Sequence, residues 1–381
     1  MISYVTAGAG HRRAAEALAQ AVLAAIPQAE VQCANLLDDV PALVRRGYPG
    51  VYYLLVRHLA LVWGACFALL DWGPLYAIVQ PFRRLWNLLA ARRFIERLRR
   101  NPPDLIMTTH FFPTDVVSAC KAAGWLTSPL IVIVTDLHPH RLWISTQAEA
   151  YICGIVEGVR LLQDRGIPAE RIHPLGIPIG SAFHASYDRN VLAQAFGLEP
   201  QRQTILVTSG GNTVGPFEAV VEALVGIEER LAHRVQLLVI CGENSRAVHR
   251  LQARTQHAAM PVRVLGFIDR MPEAMALSDL IVAKAGGLTV TEAMGRGVPL
   301  VIYHAIPGQE RFNAQYVAAQ GAAVIANSPE EVAQAVCRFF EEPGQAAAMR
   351  KAAASLSHPY AAEAIVSQVV MPLLTGAKGH S

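Results

Sequence analysis

The stretch that decides the fold runs from Ile281 to Glu292 and reads IVAKAGGLTVTE. Its apolar start predicts a buried strand, the pair Gly286-Gly287 predicts a tight turn, and the residues after the pair predict the start of a helix. Such a turn points backbone N–H groups and the positive end of a helix dipole at the space above it, which favours binding of a phosphate. Leu288 and Thr289 belong to the same turn, and Glu292 is placed one helical turn later, where it can accept hydrogen bonds from sugar hydroxyls.

A second polar segment, Pro307 to Asn313, reads PGQERFN. It puts Gln309, Glu310 and Asn313 on a loop and a helix start. Two amides and one acid are the side chains that recognition of a sugar needs. With the glycine turn, this segment predicts a nucleotide-sugar site.

Length and composition set the class of protein. The chain has 381 residues, too many for one ordinary core, so we expect two domains. Hydrophobic residues make up 52% and charged residues 17%, which excludes a disordered chain. The six cysteines form no CxxC pair, so a reducing, cytosolic compartment is expected. Met1 leads directly into a strand and a glycine turn, so no secretory signal peptide is expected.

Strands alternate with helices along both halves of the chain. The first half has predicted strands at 2–6, 30–34, 104–108, 130–135 and 150–153. The second half has predicted strands at 204–208, 235–240, 262–265, 279–283 and 298–302. This alternation predicts an α/β fold with two domains, residues 1–178 and 186–357, each a parallel sheet wrapped by helices. Two such domains facing across a cleft would bind ligands at the carboxyl ends of their strands.

The segment from Arg45 to Arg100 departs from this pattern. It contains ten arginines and ten aromatic residues but only two acids, Asp71 and Glu96, which gives a net charge of +8. Its longest central uncharged run, Leu59 to Leu70, has twelve residues, whereas spanning a bilayer takes about 20. We therefore expect this segment to lie in the interface of an anionic membrane. The alternative is a helical hairpin packed on the first domain, and nucleic acid is not expected because the apolar content is too high.

Candidate catalytic residues follow two strands of the first half. His11 ends the glycine turn Gly8-Ala9-Gly10-His11, and histidine is the side chain best suited to take a proton from an alcohol near neutral pH. The alternative role for His11 is to cap the turn. Asp136 follows another apolar strand, where it is placed to orient His11 or an acceptor hydroxyl, as His138 or His140 also is. Asp136 could instead cap a turn. No third ligand with suitable spacing accompanies the two histidines and no Asp-x-Asp occurs, so no metal is expected.

Two further turns complete the predicted donor site. Ser209, Gly210 and Gly211 end the first strand of the second half and form a candidate wall for a diphosphate, although an ordinary loop has the same composition. Phe267 and Ile268 follow another strand and are placed to sandwich a base, although both also suit a core.

Taken in order and spacing, these motifs resemble the family-28 glycosyltransferases, in the branch of processive diacylglycerol glucosyltransferases and plant-type monogalactosyldiacylglycerol synthases. The resemblance extends from Ala7 to about Ile325. Its markers, in chain order, are GAGH at 8–11, TDL at 135–137 with Trp143, LGIPI at 175–179, CGEN at 241–244, LGFI at 265–268, GGLT at 286–289 with Glu292, and PGQE at 307–310 with Asn313.

The resemblance implies a GT-B fold, two Rossmann-like domains, with a C-terminal helix within 358–381 packed back on the first domain. It implies that the backbone at Phe267-Ile268 reads uracil, that Glu292 binds ribose, and that the turn at 286–289 binds phosphate. Gln309 and Glu310 would contact the hexose, and His11 would be the base of an inverting reaction that needs no metal and no cofactor.

The expected activity is transfer of glucose or galactose from a UDP-sugar to diacylglycerol by a peripheral or monotopic protein at the cytoplasmic face of the cell membrane. Three alternatives remain open at this point. The protein could be a UDP-N-acetylglucosamine transferase that acts on a polyprenyl-linked precursor, a UDP-sugar epimerase of the same fold, or a binding protein with an inactive site. The presence of His11, Glu292 and Gln309 argues against the last.

Overall fold

The chain divides into two compact units. The computed structural model describes residues 1–6, 8–210, 215–227, 229–231 and 234–377. The first unit comprises Met1–Gly180, Pro307–Gln309 and the chain from Tyr360 onward, and the second comprises Ser181–Ile306 and Glu310–Pro359.

The first unit is a parallel α/β sheet with helices. Its strands are β1 (Ile2–Tyr4), β2 (Cys33–Asn35), β3 (Ile106–Thr108), β4 (Leu130–Ile133), β5 (Ala150–Ile152) and β6 (Ile172–His173). Its helices are α1 (Gly10–Ala25), α2 (Ala42–His58), α3 (Ala60–Asp71), α4 (Gly73–Ala90), α5 (Arg92–Arg100), α6 (Phe111–Ala122) and α7 (Val156–Gln163). All six strands are parallel, in the order β2-β1-β3-β4-β5-β6.

The register and burial of these strands explain their composition. Ile2 pairs with Cys33 on one side and with Met107 on the other. β4 reads LIVI and all four of its side chains are buried, as expected for a strand covered on both faces. The chain order reverses between β1 and β3, which makes their carboxyl ends a topological switch point.

The second unit repeats the architecture. Its strands are β7 (Gln203–Thr208), β8 (Val235–Ile240), β9 (Val262–Leu265), β10 (Leu280–Lys284), β11 (Leu300–His304) and β12 (Ala323–Ile325). Its helices are α8 (Arg189–Phe196), α9 (Phe217–Val225), α10 (Ser245–Thr255), α11 (Met271–Leu277), α12 (Gly287–Gly295), α13 (Gln309–Ala319), α14 (Pro329–Glu341) and α15 (Pro343–Ser355). The parallel order is β12-β11-β10-β7-β8-β9, so the switch point lies between β7 and β10.

The C-terminal helices belong to the first unit. They comprise α16 (Ala361–Ile365), a π-helical stretch from Val366 to Val370, and α17 (Met371–Ala377). Ile365 and Val366 are buried in one cluster with Ile2 and Leu18. The C-terminal chain therefore covers one face of the first sheet, and the predicted pair of parallel α/β sheets is confirmed.

Candidate active site

Three loops meet around His11 at the switch point of the first sheet. His11 is the second residue of α1, which follows β1. Thr109 and His110 follow β3, the neighbour of β1, and Thr135 follows β4. Because parallel strands end at one edge, residues 98 and 124 positions apart from His11 in sequence reach the same imidazole ring.

Hydrogen bonds fix the tautomer of the His11 ring. Its Nδ1 lies 2.7 Å from the carbonyl oxygen of Thr109 and 2.9 Å from the hydroxyl oxygen of Thr135. A carbonyl oxygen only accepts, so Nδ1 carries the proton and donates it. The Thr109 hydroxyl donates in turn to the His11 carbonyl at 2.8 Å, which ties the start of α1 to the loop after β3. In the neutral ring Nε2 therefore holds the lone pair, as a general base requires.

The surroundings of the ring keep it neutral. Desolvation lowers the pKa of His11 to about 4, although the bond to the Thr109 carbonyl works in the opposite direction. The His110 ring packs edge-on against it, with centroids 4.6 Å apart, and burial lowers the pKa of His110 as well. The Trp143 ring lies 6.4 Å from that of His11. At neutral pH the imidazole is thus ready to accept a proton.

The sequence predicts Asp136, His138 or His140 as the group that orients His11, and the structure adds Thr135 at the ring. The residue that reaches Nδ1 is Thr135, one position before Asp136. His138 lies 3.3 Å from a carboxylate oxygen of Asp71, and His140 donates to a backbone carbonyl of α3. An orienting role for Asp136 stays a prediction.

Thr109 and His110 were not identified from the sequence. The sequence does place them at a strand end, because Thr109-His110 follows the predicted strand 104–108 as the glycine turn follows the first strand. His110 also caps α6, since its Nδ1 accepts the backbone N–H of Phe112 at 3.0 Å. Its ring therefore has a fixed orientation beside His11.

In the second unit, the glycine turn is a helix N-terminus as predicted. Gly286 occupies the N-cap position of α12, and it has no side chain that could accept a hydrogen bond from the first helical N–H groups. The first helical hydrogen bond runs from the Val290 N–H to the Gly286 carbonyl. The N–H groups of Gly287, Leu288 and Thr289 therefore have no intrahelical acceptor. A Cβ on Gly286 would lie 3.7 Å from a Glu310 carboxylate oxygen, so the loop approaches α12 closely at this point.

Polar residues of the segment from Pro307 to Asn313 form hydrogen bonds around this turn. Glu310 accepts the backbone N–H of Ile306 at 2.9 Å, and its other oxygen lies 3.8 Å from the ammonium group of Lys284. The Asn313 amide donates to the Ala285 carbonyl at 3.1 Å. Glu310 and Asn313 are buried, so both hold the loops after β10 and β11 together. Gln309 is the first residue of α13, and sugar contacts by these side chains stay predictions.

The remaining donor-site residues lie at carboxyl ends of the same sheet. Ser209 is buried, and Gly210 has φ +75°, a left-handed conformation that suits glycine. Gly211 lies outside the described residues. Phe267 follows β9 with 48% of its side chain exposed, next to the partly buried Ile268. Glu292 lies on α12 and is buried, with 3% of its surface accessible, and its contact with a ribose stays a prediction.

Within the described part of the chain, no group of three His, Cys, Asp or Glu side chains is arranged to hold a metal ion. The expectation of a metal-independent reaction stays a prediction.

The arginine-rich segment forms α2 to α5, and many large apolar side chains of α2 to α4 are exposed. The structure describes every residue of α3, and none of them is buried. Leu61 on α3 is 84% exposed and Phe82 on α4 is 72% exposed. Arg83, by contrast, turns inward, where it donates to the Tyr76 hydroxyl at 3.0 Å and lies 3.5 Å from Asp115.

The length and hydropathy of a helix decide whether it can cross a bilayer. No single helix among them is both long and apolar enough to cross a bilayer. α2 and α3 meet the criterion only as a pair, and they are bent by 113° at the break between them.

Both halves of the chain match known families. Residues 11–179 match the monogalactosyldiacylglycerol synthase family, and residues 204–365 match the glycosyltransferase family 28 C-terminal domain. A processive diacylglycerol beta-glucosyltransferase of Bacillus licheniformis is 27% identical over 292 residues, which cover 76% of this chain and 74% of the relative.

Solved structures show the same fold at low identity. The UDP-GlcNAc 2-epimerase of Neisseria meningitidis, solved with UDP-GlcNAc, has a TM-score of 0.64 at 13% identity and covers 98% of this chain and 99% of its own. MurG of Acinetobacter baumannii has a TM-score of 0.62 at 16% identity, and the match covers 97% of this chain and 99% of MurG. With the two parallel sheets and the matching halves, these findings identify the chain as a GT-B glycosyltransferase of glycolipid synthesis, with a first half similar to the monogalactosyldiacylglycerol synthase family and a second half similar to the glycosyltransferase family 28 C-terminal domain.

Proposed function

We propose that the protein transfers a hexose, glucose or galactose, from a UDP-sugar to diacylglycerol and inverts the anomeric carbon, so that the product is a β-glycosyldiacylglycerol. The names of the curated relatives and the family matched by the first half support this acceptor. The observation that carries the proposal is the imidazole of His11, whose Nδ1 proton is held by the Thr109 carbonyl so that Nε2 is the basic nitrogen.

The first unit supplies the base. The acceptor hydroxyl gives its proton to Nε2 of His11 while its oxygen attacks C1 of the sugar. The bond from C1 to the diphosphate oxygen breaks, and the electron pair leaves with UDP. Because the pKa of His11 is lowered to about 4, the ring is neutral before the transfer. General-base help of this kind contributes roughly 10²–10⁴ in rate.

The second unit holds the donor and stabilises the leaving group. The N–H groups at the start of α12 and the helix dipole offset the charge that develops on the diphosphate. Phe267 and Ile268 contact the uracil, Glu292 accepts hydrogen bonds from the ribose, and Gln309 with Glu310 recognises the hexose. We expect turnover without a divalent cation, since the helix terminus supplies the positive potential.

Helices α2 to α4 bring the protein to its lipid acceptor at the cytoplasmic face of the membrane. These helices expose many leucine side chains together with Trp72, Phe82 and Trp86, and so many exposed large apolar side chains are uncommon on a surface that meets only water. Arg45 and Arg57 are exposed on α2, and each would contribute roughly 1 kcal/mol near anionic headgroups.

The function is tested with purified protein, diacylglycerol in detergent micelles, and UDP-glucose, UDP-galactose or UDP-N-acetylglucosamine in separate reactions. We expect one of the two hexoses to appear on the lipid, identified by mass spectrometry, with and without a chelator. His11→Ala should abolish the product, whereas His249→Ala, which alters an exposed histidine of α10, should not. Epimerised nucleotide sugar without glycolipid, or transfer only to a polyprenyl phosphate acceptor, would replace the proposal with an alternative function.

A further inference from the structure

Asp71, the last residue of α3, lies at the centre of a network of hydrogen bonds within the first unit. Its carboxylate accepts a hydrogen bond from the Arg165 guanidinium at 2.6 Å and from the backbone N–H of Arg141 at 2.8 Å, and lies 3.3 Å from Nε2 of His138. Burial alone would raise the pKa of Asp71, but these hydrogen bonds and the nearby charge of Arg165 hold it well below its usual range. The carboxylate is therefore ionised and paired.

Bonds also run in the opposite direction, from the loop to the backbone of α3. The Arg141 guanidinium donates to the Asp71 carbonyl at 2.7 Å. His140 accepts the Leu142 N–H at its Nδ1, so its Nε2 carries the proton that it donates to the Phe67 carbonyl at 2.8 Å. The rings of Phe67 and His140 are in contact, with centroids 4.0 Å apart. The end of α3 is thus fastened to the loop after β4 at several points.

The same loop holds His11. It begins with Thr135, whose hydroxyl lies 2.9 Å from Nδ1 of His11, and ends with Trp143, whose ring is 6.4 Å from the His11 ring. Between these two residues stand His138, His140 and Arg141, the three that engage α3. One loop therefore touches the outward-facing apolar helix on one side and the catalytic base on the other.

We propose that Asp71 is a positioning residue for the transfer reaction: it holds the loop from Thr135 to Trp143 against α3, and through that loop it keeps the His11 ring oriented. The proposal rests on the proposed function in one respect, namely that His11 is the base. Asp71 itself touches neither substrate nor His11. Its effect passes through Thr135, and the position of the lipid-facing helix α3 is thereby linked to the orientation of the base.

The test uses Asp71→Asn in the full-length protein, with Glu149→Gln as matched control. Glu149 is also a carboxylate paired with a buried cation, Lys121, and also accepts a backbone N–H, that of Leu130, but it immediately precedes β5, at the amino ends of the strands and not in the loop of His11. We expect Asp71→Asn to lower kcat by about tenfold to a hundredfold, the loss typical of a misplaced catalytic group, while KM for the UDP-sugar and the affinity for UDP stay unchanged. Glu149→Gln should leave kcat unchanged.

Nitrogen-15 NMR of the His11 ring separates positioning from a general loss of structure. The wild-type protein should show one tautomer with Nδ1 protonated, and Asp71→Asn should show exchange between tautomers while UDP still binds. Since Asp71→Asn leaves the buried Arg165 unpaired, the double variant Asp71→Asn with Arg165→Met removes both charges and should restore folding but not kcat. Unchanged kcat in both variants, or an unchanged His11 spectrum, would overturn the proposal. An absence of hexose transfer by the wild-type protein would instead refute the proposed function, and the spectrum would still report on Asp71.

Discussion

The pH dependence of transfer is the sharpest consequence of the geometry around His11. An ordinary histidine has a pKa near 6.5, and desolvation lowers that of His11 to about 4. This lowering corresponds to roughly 3 kcal/mol against protonation of the ring. The basic form should therefore persist from neutral pH down to about pH 4, and only below that value should Nε2 take a proton and become unable to act as base.

The assay is kcat/KM for hexose transfer between about pH 3.5 and 8, because that ratio reports the ionisation of the free enzyme. We expect a plateau through neutral pH, half of the plateau rate near pH 4, and a plateau lowered about 10²–10⁴-fold in His11→Ala. Circular dichroism at each pH separates loss of the base from unfolding, and nitrogen-15 NMR assigns the titration to His11, since burial also lowers the pKa of His140 to about 4.

Two results would refute the reasoning. A half-maximal rate near pH 6.5 would mean that the ring is well hydrated or that another group is the base. Transfer by His11→Ala at the wild-type rate would remove the base assignment altogether. Loss of UDP-sugar binding in His11→Ala would instead reassign His11 to donor binding.

The remaining predictions concern donor binding, membrane binding and stability. Glu292→Ala should weaken UDP-sugar affinity, measured by calorimetry, by about tenfold, the value of one lost charged hydrogen bond; unchanged affinity would remove its ribose assignment. Arg45→Glu with Arg57→Glu should reduce sedimentation with anionic vesicles, whereas Arg83→Glu should lower the free energy of unfolding by roughly 3 kcal/mol, because its partner Asp115 is buried. The free energy of unfolding should rise between about pH 4 and 6.5, measured in urea, because the unfolded chain binds protons that the buried His11 does not.

Much of the fold follows from local sequence. Apolar runs bounded by glycine turns predict parallel strands, and the sheets confirm them at β1, β3, β4 and β5 in the first unit and at all but the last strand of the second. The strand expected at 30–34 is found at Cys33–Asn35. β2 lies at the edge of the sheet, next to β1. It begins at Cys33 because Cys33 pairs with Ile2, the first residue of β1, and local composition does not encode this long-range contact.

In the candidate site, too, local sequence predicts which residue is important but not which distant groups contact it. Position at a strand end was enough to select His11, but its main partner is a backbone carbonyl 98 residues away, and a carbonyl has no residue-type signal. Asp136 is predicted to orient His11 or an acceptor hydroxyl because it follows an apolar strand, where polar side chains fall at the edge of the sheet that binds ligands. Thr135 lies in the loop that follows β4, and its contact with the ring depends on how that loop folds, which residue type alone does not encode.

The arginine-rich segment shows why composition misjudges a surface. A net charge of +8 suggests electrostatic attraction to lipid, yet Arg83 and Arg97 are paired with Asp115 and Asp39, which offset part of that charge. On α2 to α4 this leaves three fully exposed arginines, worth about 3 kcal/mol together at roughly 1 kcal/mol each. Among the side chains that the structure describes between Leu43 and Leu89, thirteen large apolar ones are exposed. If half of them entered the acyl boundary at about 1.5 kcal/mol each, burial would contribute roughly 10 kcal/mol, about three times the ionic part. Membrane affinity should therefore depend mainly on apolar burial and survive in high salt, where purely electrostatic binding is screened.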